Sequence, residues 1–334
     1  MKRTQGKEKR ASEKNIAEKM QKLFQERGRK ALEMAREEIS QEEMECKEVR
    51  EALDYFMTQY WQDLARPTLL SLVCEAVGGD PDLTTPIAVS MILISGAMDI
   101  HDDIIDESKV KHKRSTIFGK FGKNIALLAG DALMFKGLLL LNQSLESTPR
   151  DKRRAIINTI REMFFLLGDA EALELKFRRR LDVTPEEYVR IVEKKAADVE
   201  AHTSIGAILG GGTKEEIETL GRYGRLLGMI IILGDDVMDS WDIDELRHRI
   251  RKEHLPLPLL FALQNPKTKN TVTFLLSKRE IVEQDLQTLI EIAREDSKAI
   301  ELLKELTVKA QSHLSHVMRC REDLQMFATL AGNV

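Results

Sequence analysis

The sequence contains few cysteines, few prolines and few aromatic residues, and it lacks an excess of charge of either sign. Its three cysteines, Cys46, Cys74 and Cys320, are widely spaced, which argues against a disulfide framework or a zinc site and fits a reducing, cytoplasmic compartment. The 51 basic and 55 acidic residues give a net charge of −4, so the positive excess typical of nucleic-acid-binding proteins is missing. We therefore expect a cytoplasmic protein that does not bind nucleic acid.

Long uncharged apolar runs are also missing. None reaches the roughly 18 residues of a membrane span, and the basic N-terminus lacks the apolar core of a signal peptide. We expect no transmembrane segment.

The hydrophobic residues, 43% of the chain, recur mainly at i, i+3 and i+4, and no convincing set of alternating strands is found. This spacing predicts an all-α protein. Residues 1–50 are dense in charge but keep a helical apolar stripe, so we predict an N-terminal helical extension there and a second, all-α domain over 51–334. Within the domain we predict helices over about 83–107, 185–210 and 215–241, and three or four amphipathic helices towards the C-terminus.

Two aspartate clusters interrupt apolar, helix-like segments. The first lies in His-Asp-Asp-Ile-Ile-Asp and the second in Gly-Asp-Asp-Val-Met-Asp; their members are Asp102, Asp103 and Asp106, and Asp235, Asp236 and Asp239. One such cluster alone is more simply an acidic turn, but two copies in core-like helices indicate a site, because unpaired buried carboxylates are costly. Helical spacing places Asp102 with Asp106, and Asp235 with Asp239, on a common face, where each pair can bind Mg²⁺. A diphosphate bound through Mg²⁺ is the ligand that this arrangement favours.

A basic stretch that includes Lys111 and His112 follows the first cluster directly. Basic side chains beside a metal–carboxylate site are suited to bind phosphate. A solvated loop is the alternative interpretation.

Three further segments, together with the paired clusters, carry a family resemblance over about residues 60–264. They are the string from Phe121 to Leu133 (FGKNIALLAGDAL), Val183-Thr-Pro-Glu-Glu-Tyr188 and Leu255-Pro256. The chain resembles the trans-isoprenyl diphosphate synthases, or polyprenyl synthetases.

The resemblance implies an all-α bundle of the isoprenoid synthase type, usually a homodimer, in which both clusters face a central cavity and hold a Mg²⁺-bound allylic diphosphate. Diphosphate leaves, and the allylic cation is attacked by the double bond of isopentenyl diphosphate. The catalytic set implied is the six aspartates and Lys195. The diphosphate-binding set implied is Arg66, Lys111, His112, Lys195 and Lys252.

The sequence departs from the family pattern on the isopentenyl side. Asp63 stands where family members carry a phosphate-binding lysine, Ser95 replaces a histidine or glutamine, and His112 replaces an arginine. Because an aspartate repels phosphate, we first favour a terpene-synthase-like enzyme whose cation is cyclised, deprotonated or quenched. The alternatives are a chain-elongating prenyltransferase with a remodelled acceptor site and a non-catalytic partner subunit.

The family resemblance also implies that the residues four and five positions before Asp102 form the floor of the prenyl pocket. These residues are Met98 and Ala97, one flexible and one small, so we expect allylic substrates of fifteen or twenty carbons. The alternative is that Ala97 only packs against a neighbouring helix.

Overall fold

The computed structural model describes residues 2–111 and 113–333, with side chains from residue 15 onward. The chain divides into two compact units. Unit 1 runs through Ile157 and includes Ile205–Thr213, and unit 2 comprises Asn158–Ser204 and the chain from Lys214 onward. The all-α prediction is confirmed, because helices form nearly all of the regular structure in both units.

Unit 1 contains the first seven helices, and an eighth begins in it. Their bounds are α1 Lys2–Arg27, α2 Arg29–Ser40, α3 Lys47–Tyr55, α4 Ala65–Ala76, α5 Thr85–Ile105, α6 Ile117–Phe121, α7 Lys123–Ser144 and α8 Arg150–Glu174, with a π-helical turn at Phe56–Tyr60 and a 3-10 turn at Pro81–Thr84. The charged N-terminal segment is helical, as expected. This helical segment is interrupted at Gly28, between α1 and α2. A Cβ added at Gly28 would lie 2.5 Å from the Leu64 carbonyl oxygen. The boundary at residue 50 stays a prediction.

Helix α5 forms the centre of unit 1, and its apolar residues are buried on nearly every side. A helix that is hydrophobic all round is stable only inside a core. Its closest neighbour is α7, and a Cβ on Gly137 would come within 2.8 Å of the Ile94 side chain. Helices α2 and α4 pack on other faces of α5. This packing fixes the orientation of the C-terminal turn of α5, which carries the first aspartate cluster.

A short β-hairpin follows α5, although no strand is predicted there from the amino-acid pattern. Strand β1 (Val110–Lys111) pairs antiparallel with β2 (Arg114–Ser115). The Tyr55 hydroxyl donates to the Ser115 carbonyl oxygen at 2.7 Å, and Arg114 donates to the Gln59 carbonyl oxygen at 3.0 Å. Two-residue strands are too short for an alternating pattern, so tertiary anchoring determines this hairpin.

Unit 2 is built around α11, which contains the second aspartate cluster. Its other helices are α9 Pro185–Lys195, α10 Ala197–Gly210, whose last residues belong to unit 1, α11 Lys214–Asp239, α12 Ile243–Lys252, α13 Leu257–Gln264, α14 Lys269–Leu276, α15 Glu283–Glu295, α16 Lys298–His313 and α17 Arg321–Gly332. The prediction of a single helix over 185–210 is wrong, because the helix is interrupted at Ala196. The Ala196 side chain packs against Gly228 of α11. A Cβ added at Gly228 would lie only 2.9 Å from Cβ of Ala196. Five helices, rather than three or four, follow Pro256 in the described chain.

Within the part of the chain that the structure describes, two segments are long and apolar enough to cross a membrane by length and composition alone. In the segment Pro81–Ile105, 72% of the most apolar window is buried inside the protein, as expected for a core helix. In Lys123–Ser144, which is α7, only 33% is buried. Helix α7 therefore presents an apolar face that unit 1 leaves uncovered.

Candidate active site

The first aspartate cluster occupies the last turn of α5 and its C-terminal cap. The Asp106 N–H donates to the Asp102 carbonyl oxygen at 2.9 Å, so these two residues are one helical turn apart, as predicted. The Asp102 side chain is 31% exposed, whereas that of Asp103 has no exposed surface. The cluster therefore has an accessible carboxylate, on Asp102, and a buried one, on Asp103.

Lys111 is a basic residue that reaches this cluster. Its Nζ lies 2.8 Å from Oδ1 of Asp103 and 3.2 Å from Oδ2 of Asp102. The hairpin positions it, because the Thr116 N–H donates to the Lys109 carbonyl oxygen and the Ser108 N–H donates to that of Asp103. His112 lies outside the described residues, so its assignment to the diphosphate stays a prediction.

The first cluster carries more negative charge than Lys111 neutralises. Burial, together with the charges of Asp99 and Asp102 and against the opposing effect of Lys111, raises the pKa of Asp103 to about 7. Burial disfavours the ammonium form of Lys111, but Asp102 and Asp103 outweigh burial and raise its pKa. Burial and the charges of Asp103 and Asp99 also raise the pKa of Tyr60. An additional cation at this position would relieve the repulsion.

Asp63 and Arg66 form an ion pair at the predicted isopentenyl position. Arg66 Nη1 donates to Oδ2 of Asp63 at 3.0 Å, and Oδ1 of Asp63 accepts the backbone N–H groups of Ala65 and Arg66 at the start of α4. Asp63 thus replaces a cation and also pairs with the cation that remains. A phosphate bound at this predicted position would compete with Asp63 for Arg66.

The predicted pocket residues lie on α5 ahead of the cluster. Ala97 has no exposed surface and belongs to the core cluster that also contains Phe56 and Leu133. Met98 is partly buried. The structure leaves both interpretations of Ala97 open, as a pocket floor or as a packing residue, so the pocket assignment stays a prediction.

The second aspartate cluster is at the C-terminal end of α11, and its three carboxylates differ in exposure. Asp235 is exposed, Asp236 is buried and Asp239 is intermediate. Ile231 and Met238, on the same helix as Asp235, are 39% and 53% exposed. The exposed carboxylate therefore has apolar surface beside it, which suits a ligand with a charged head and an apolar chain.

Arg249 of α12 binds two of these aspartates. Its Nη2 lies 2.5 Å from Oδ1 of Asp236, and its Nη1 donates to Oδ2 of Asp239 at 2.8 Å. The Leu257 N–H donates to the other oxygen of Asp236 at 3.0 Å. In both clusters, therefore, the second aspartate is buried and a basic side chain bridges it to another aspartate of the same motif.

Lys195, predicted to bind diphosphate, is paired with carboxylates of α8 in unit 2. Its Nζ lies 2.8 Å from Glu171 and also contacts Glu174. Oε1 of Glu174 is 3.0 Å from Nδ1 of His254. Burial alone would raise the pKa of Glu174, but His254 and Lys195 hold it below its ordinary value. Lys195 can therefore bind a diphosphate only in competition with these glutamates.

Two further residues of unit 2 complete the surroundings of the second cluster. Tyr188, from the Val-Thr-Pro-Glu-Glu-Tyr string, is buried with its ring centroid 4.5 Å from that of His254. Burial and the nearby Asp236 raise the pKa of Tyr188. Lys252, predicted to bind diphosphate, is exposed in the last turn of α12.

Mg²⁺ fits the chemistry of these residues unequally. Among the described residues, no three histidine, cysteine or acidic side chains converge into a ready-made metal site. Mg²⁺ requires only one or two carboxylates when substrate phosphate supplies other ligands, so this finding is compatible with Asp102 and Asp106 as ligands. The excess negative charge of the first cluster favours a cation there, whereas Arg249 already neutralises part of the second.

Several residues of these networks are not apparent from the sequence. Arg249 is one of three arginines in the segment after Asp239, with Arg247 and Arg251, and the sequence does not show which of them points at the cluster. The one available signal for Arg249 is the spacing from Leu246, which places both on the buried face of α12. Glu171 and Glu174 have no comparable signal, because their partner Lys195 lies on a different helix.

Comparison with known proteins matches residues 46–293 to a family model described as polyprenyl synthetase. The short chain isoprenyl diphosphate synthase of Methanothermobacter thermautotrophicus is 32% identical over 270 residues, which cover 78% of this chain and 79% of that protein. The geranylgeranyl diphosphate synthase of Methanosarcina mazei is 33% identical over 191 residues, or 57% of this chain and 58% of that protein. The crystal structure of geranylgeranyl pyrophosphate synthetase from Pyrococcus horikoshii superposes with a TM-score of 0.82 at 26% identity, covering 95% of this chain and 99% of that one.

Proposed function

Because the chain belongs to the polyprenyl synthetase family, and is thus an enzyme acting on isoprenoid diphosphates, we propose that it is a chain-elongating prenyltransferase with a remodelled acceptor site. The similarity to the Methanothermobacter synthase over 78% of the chain carries this proposal. This proposal places chain elongation first, whereas the sequence analysis first favoured a terpene-synthase-like enzyme. The similar proteins are named as synthases, which counts against a non-catalytic partner subunit.

In the proposed reaction, the bond between C1 of the allylic substrate and its diphosphate oxygen breaks, and diphosphate leaves with the electron pair. The double bond of isopentenyl diphosphate attacks C1, and loss of a proton restores a double bond. The developing diphosphate charge has to be stabilised by cations in a site that excludes water. No side-chain nucleophile is needed.

We assign Asp102 with Asp106, and Asp235 with Asp239, as the carboxylates that would hold Mg²⁺. When bound, the metal neutralises charge on the leaving diphosphate. Lys111 keeps Asp103 and Asp102 at fixed positions and adds a positive charge beside the diphosphate. Asp103 and Asp236 hold the basic side chains in place.

A terpene-synthase-like reaction is the second candidate, and the Asp63–Arg66 ion pair favours it. If isopentenyl diphosphate does not bind, the allylic cation can only cyclise, lose a proton or capture water. Both candidates share the ionisation step and differ only in what reacts with the cation.

We further propose that the enzyme is a homodimer joined through the uncovered face of α7. The exposed large hydrophobic residues of this face are Leu127, Leu128, Phe135, Leu138 and Leu139. They recur at helical spacing, so they form one stripe, and a stripe of this kind on a soluble protein marks an interface. We expect Phe135→Glu to shift the light-scattering mass from dimer to monomer, and an unchanged mass would contradict this interface.

The decisive experiment is a product assay. The purified protein is incubated with Mg²⁺ and geranyl, farnesyl or geranylgeranyl diphosphate, each with and without isopentenyl diphosphate, and products are separated by chromatography. Longer prenyl diphosphates that form only with isopentenyl diphosphate support elongation. Hydrocarbons or alcohols that form without it favour the second candidate, and no turnover of any allylic diphosphate contradicts both.

The proposed location is the cytoplasm. Neither Cys46 nor Cys74 forms a disulfide, which fits a reducing compartment. Cell fractionation tests this assignment, and recovery of the protein with membranes would contradict it.

A further inference from the structure

A stretch of positive charge follows the first aspartate cluster. Between Glu107 and Asp131 the chain carries six lysines and arginines and no acidic residue, and these six are Lys109, Lys111, Lys113, Arg114, Lys120 and Lys123. Lys111 forms ion pairs with two carboxylates of the cluster, whereas Arg114 forms none with any residue that the structure describes. The stretch therefore keeps positive charge that no acidic residue of its own offsets.

The register of the hairpin places Arg114 beside Lys111. Strands β1 and β2 pair so that these two residues lie directly opposite each other. Side chains of directly opposite residues in an antiparallel pair project from the same face, with their Cβ atoms about 5 Å apart. Nζ of Lys111 lies 2.8 Å from Oδ1 of Asp103. Arg114 is therefore a second cation on the hairpin face that meets the first cluster.

The Arg114 side chain is anchored by a backbone carbonyl group. Its Nη1 donates to the Gln59 carbonyl oxygen at 3.0 Å. Gln59 belongs to the π-helical turn that precedes Asp63, and Tyr60, the next residue, lies within electrostatic range of Lys111. The guanidinium of Arg114 therefore lies near both the first cluster and the chain segment that leads to Asp63.

The anchoring bond leaves the phosphate-binding edge of the Arg114 guanidinium available. A guanidinium binds a carboxylate or a phosphate by two parallel hydrogen bonds, and Nε and Nη2 form one edge suited to this. Arg180 of this protein uses that edge on Asp182, with distances of 2.9 and 2.8 Å. In Arg114 the bond to Gln59 uses Nη1, and among the described residues neither Nε nor Nη2 has a partner. Arg114 is exposed, so a ligand can reach this edge.

Tyr55 holds the strand that carries Arg114. Its hydroxyl donates to the carbonyl oxygen of Ser115, the next residue, at 2.7 Å. Nζ of Lys120 lies 3.8 Å from the centroid of the Tyr55 ring, a cation–π contact that stabilises the ring at this position. An arginine on a fixed strand, with one bond already made, loses less side-chain entropy when it binds an anion.

Arg66, at the predicted isopentenyl position, differs from Arg114 in its partner. Its Nη1 donates to Oδ2 of Asp63 at 3.0 Å, so a phosphate that binds Arg66 competes with a carboxylate. Arg114 donates to a neutral carbonyl oxygen instead. A phosphate therefore reaches Arg114 without displacing a negative charge.

We propose that Arg114 binds the diphosphate of isopentenyl diphosphate and so replaces the phosphate contact that is lost at Asp63. This inference rests on the proposed function, which takes isopentenyl diphosphate as the acceptor. The two opposite cations of the hairpin then serve different substrates: Lys111 lies beside the allylic diphosphate and Arg114 binds that of the acceptor. Arg114 is therefore a residue that determines specificity for the acceptor.

The test compares the two substrates in the same variants. KM for isopentenyl diphosphate and KM for farnesyl diphosphate are measured in the product assay, and calorimetry gives Kd for isopentenyl diphosphate in the absence of turnover. Arg114→Gln should raise KM and Kd for isopentenyl diphosphate about tenfold or more, as expected for the loss of hydrogen bonds to a charged group. KM for farnesyl diphosphate should change by less than about twofold, because Lys111 keeps its contacts.

Two further variants separate a direct contact from a general effect of charge. Arg114→Lys keeps the charge but loses the two-bond edge, so its effect on isopentenyl diphosphate should lie between those of the unchanged protein and Arg114→Gln. Lys113→Gln removes the same charge from the exposed tip of the hairpin and is the matched control, with both KM values expected within about twofold of the unchanged protein. The melting temperature of each variant establishes that it is folded.

The outcomes that overturn this proposal differ from those that overturn the proposed function. If Arg114→Gln raises both KM values equally, the change disturbs the first cluster; if Lys113→Gln has the same effect as Arg114→Gln, only the overall charge matters. Either result, or unchanged binding in Arg114→Gln, removes the assignment of Arg114 but leaves chain elongation intact. If the unchanged protein forms no longer prenyl diphosphate when isopentenyl diphosphate is present, the proposed function fails, and this inference fails with it.

Discussion

The ammonium of Lys111 lies 2.8 Å from Oδ1 of Asp103, a carboxylate without exposed surface. Removing one partner of a buried pair leaves the other charge uncompensated. Because the Lys111 side chain is 28% exposed, water reduces the cost of its loss.

For Lys111→Met we expect the free energy of unfolding to fall by about 2 kcal/mol without metal, since Asp103 loses its bridging cation. Mg²⁺ should restore part of the loss. Urea denaturation with and without Mg²⁺ measures both effects. Lys109→Met, on the exposed side of the same hairpin, is the matched control and should be neutral.

The two exposed carboxylates, Asp102 and Asp235, are expected to be essential for turnover. Replacing either with alanine removes a metal ligand and should lower kcat by about 10²-fold or more. The melting temperature without metal should stay equal or rise, because repulsion between carboxylates is relieved. Glu218→Ala, an exposed change on α11, controls for nonspecific effects. Unchanged turnover in Asp102→Ala or Asp235→Ala would refute the metal assignment.

Asp63 is expected to limit the use of isopentenyl diphosphate. Asp63→Asn keeps an oxygen that can accept the N–H groups at the start of α4 but removes the charge paired with Arg66. We expect KM for isopentenyl diphosphate to fall about tenfold, the equivalent of 1.4 kcal/mol, with little change in KM for the allylic substrate. Asp80→Asn, which changes another capping aspartate of unit 1, should leave both values unchanged. An unchanged KM in Asp63→Asn would show that the ion pair does not obstruct the acceptor.

Ala97 is expected to set the length of the allylic substrate. Ala97→Phe should reduce kcat/KM for substrates of fifteen or twenty carbons much more than for geranyl diphosphate, because the longer chain loses about 0.8 kcal/mol for each methylene that is no longer buried. Insertion into a filled core also costs about 1–3 kcal/mol of stability. Ala88→Phe, at another buried alanine of α5, controls for that cost. If both variants lose stability and neither changes substrate preference, Ala97 is only a packing residue.

The pH dependence of stability should depend in part on Glu253. Burial alone would raise its pKa, but a hydrogen bond from His248 and the charge of Arg249 lower it to about 2. Because the folded protein then binds fewer protons than the unfolded chain, this stabilisation is present above the ordinary pKa of 4.5 and is lost as pH falls towards 2. We expect Glu253→Gln to lower Tm at neutral pH, with the difference shrinking as acid is added. A constant difference across that range would contradict this assignment.

The helical fold, the family and the positions of the two aspartate clusters could all be predicted from the amino-acid sequence. These features follow from local rules: apolar residues at helical spacing form a buried stripe, and residues i and i+4 share a face wherever the helix is placed. The Asp102–Asp106 relationship was predictable for this reason. Asp63, which stands where family members carry a lysine, could be recognised equally well, because recognising it requires only a comparison of the sequence motif.

The ion pairs between side chains of different helices depend on the tertiary structure. Arg249 reaches Asp236 from the following helix, and Lys195 binds Glu171 and Glu174 across two helices. Such pairs depend on how helices pack and not on the spacing of apolar residues along each helix. Lys195 could therefore be singled out from the sequence, but its partners could not. The helix break at Ala196 and the hairpin that carries Lys111 have the same origin. Each is stabilised by contacts between residues far apart in the chain, which no local pattern encodes.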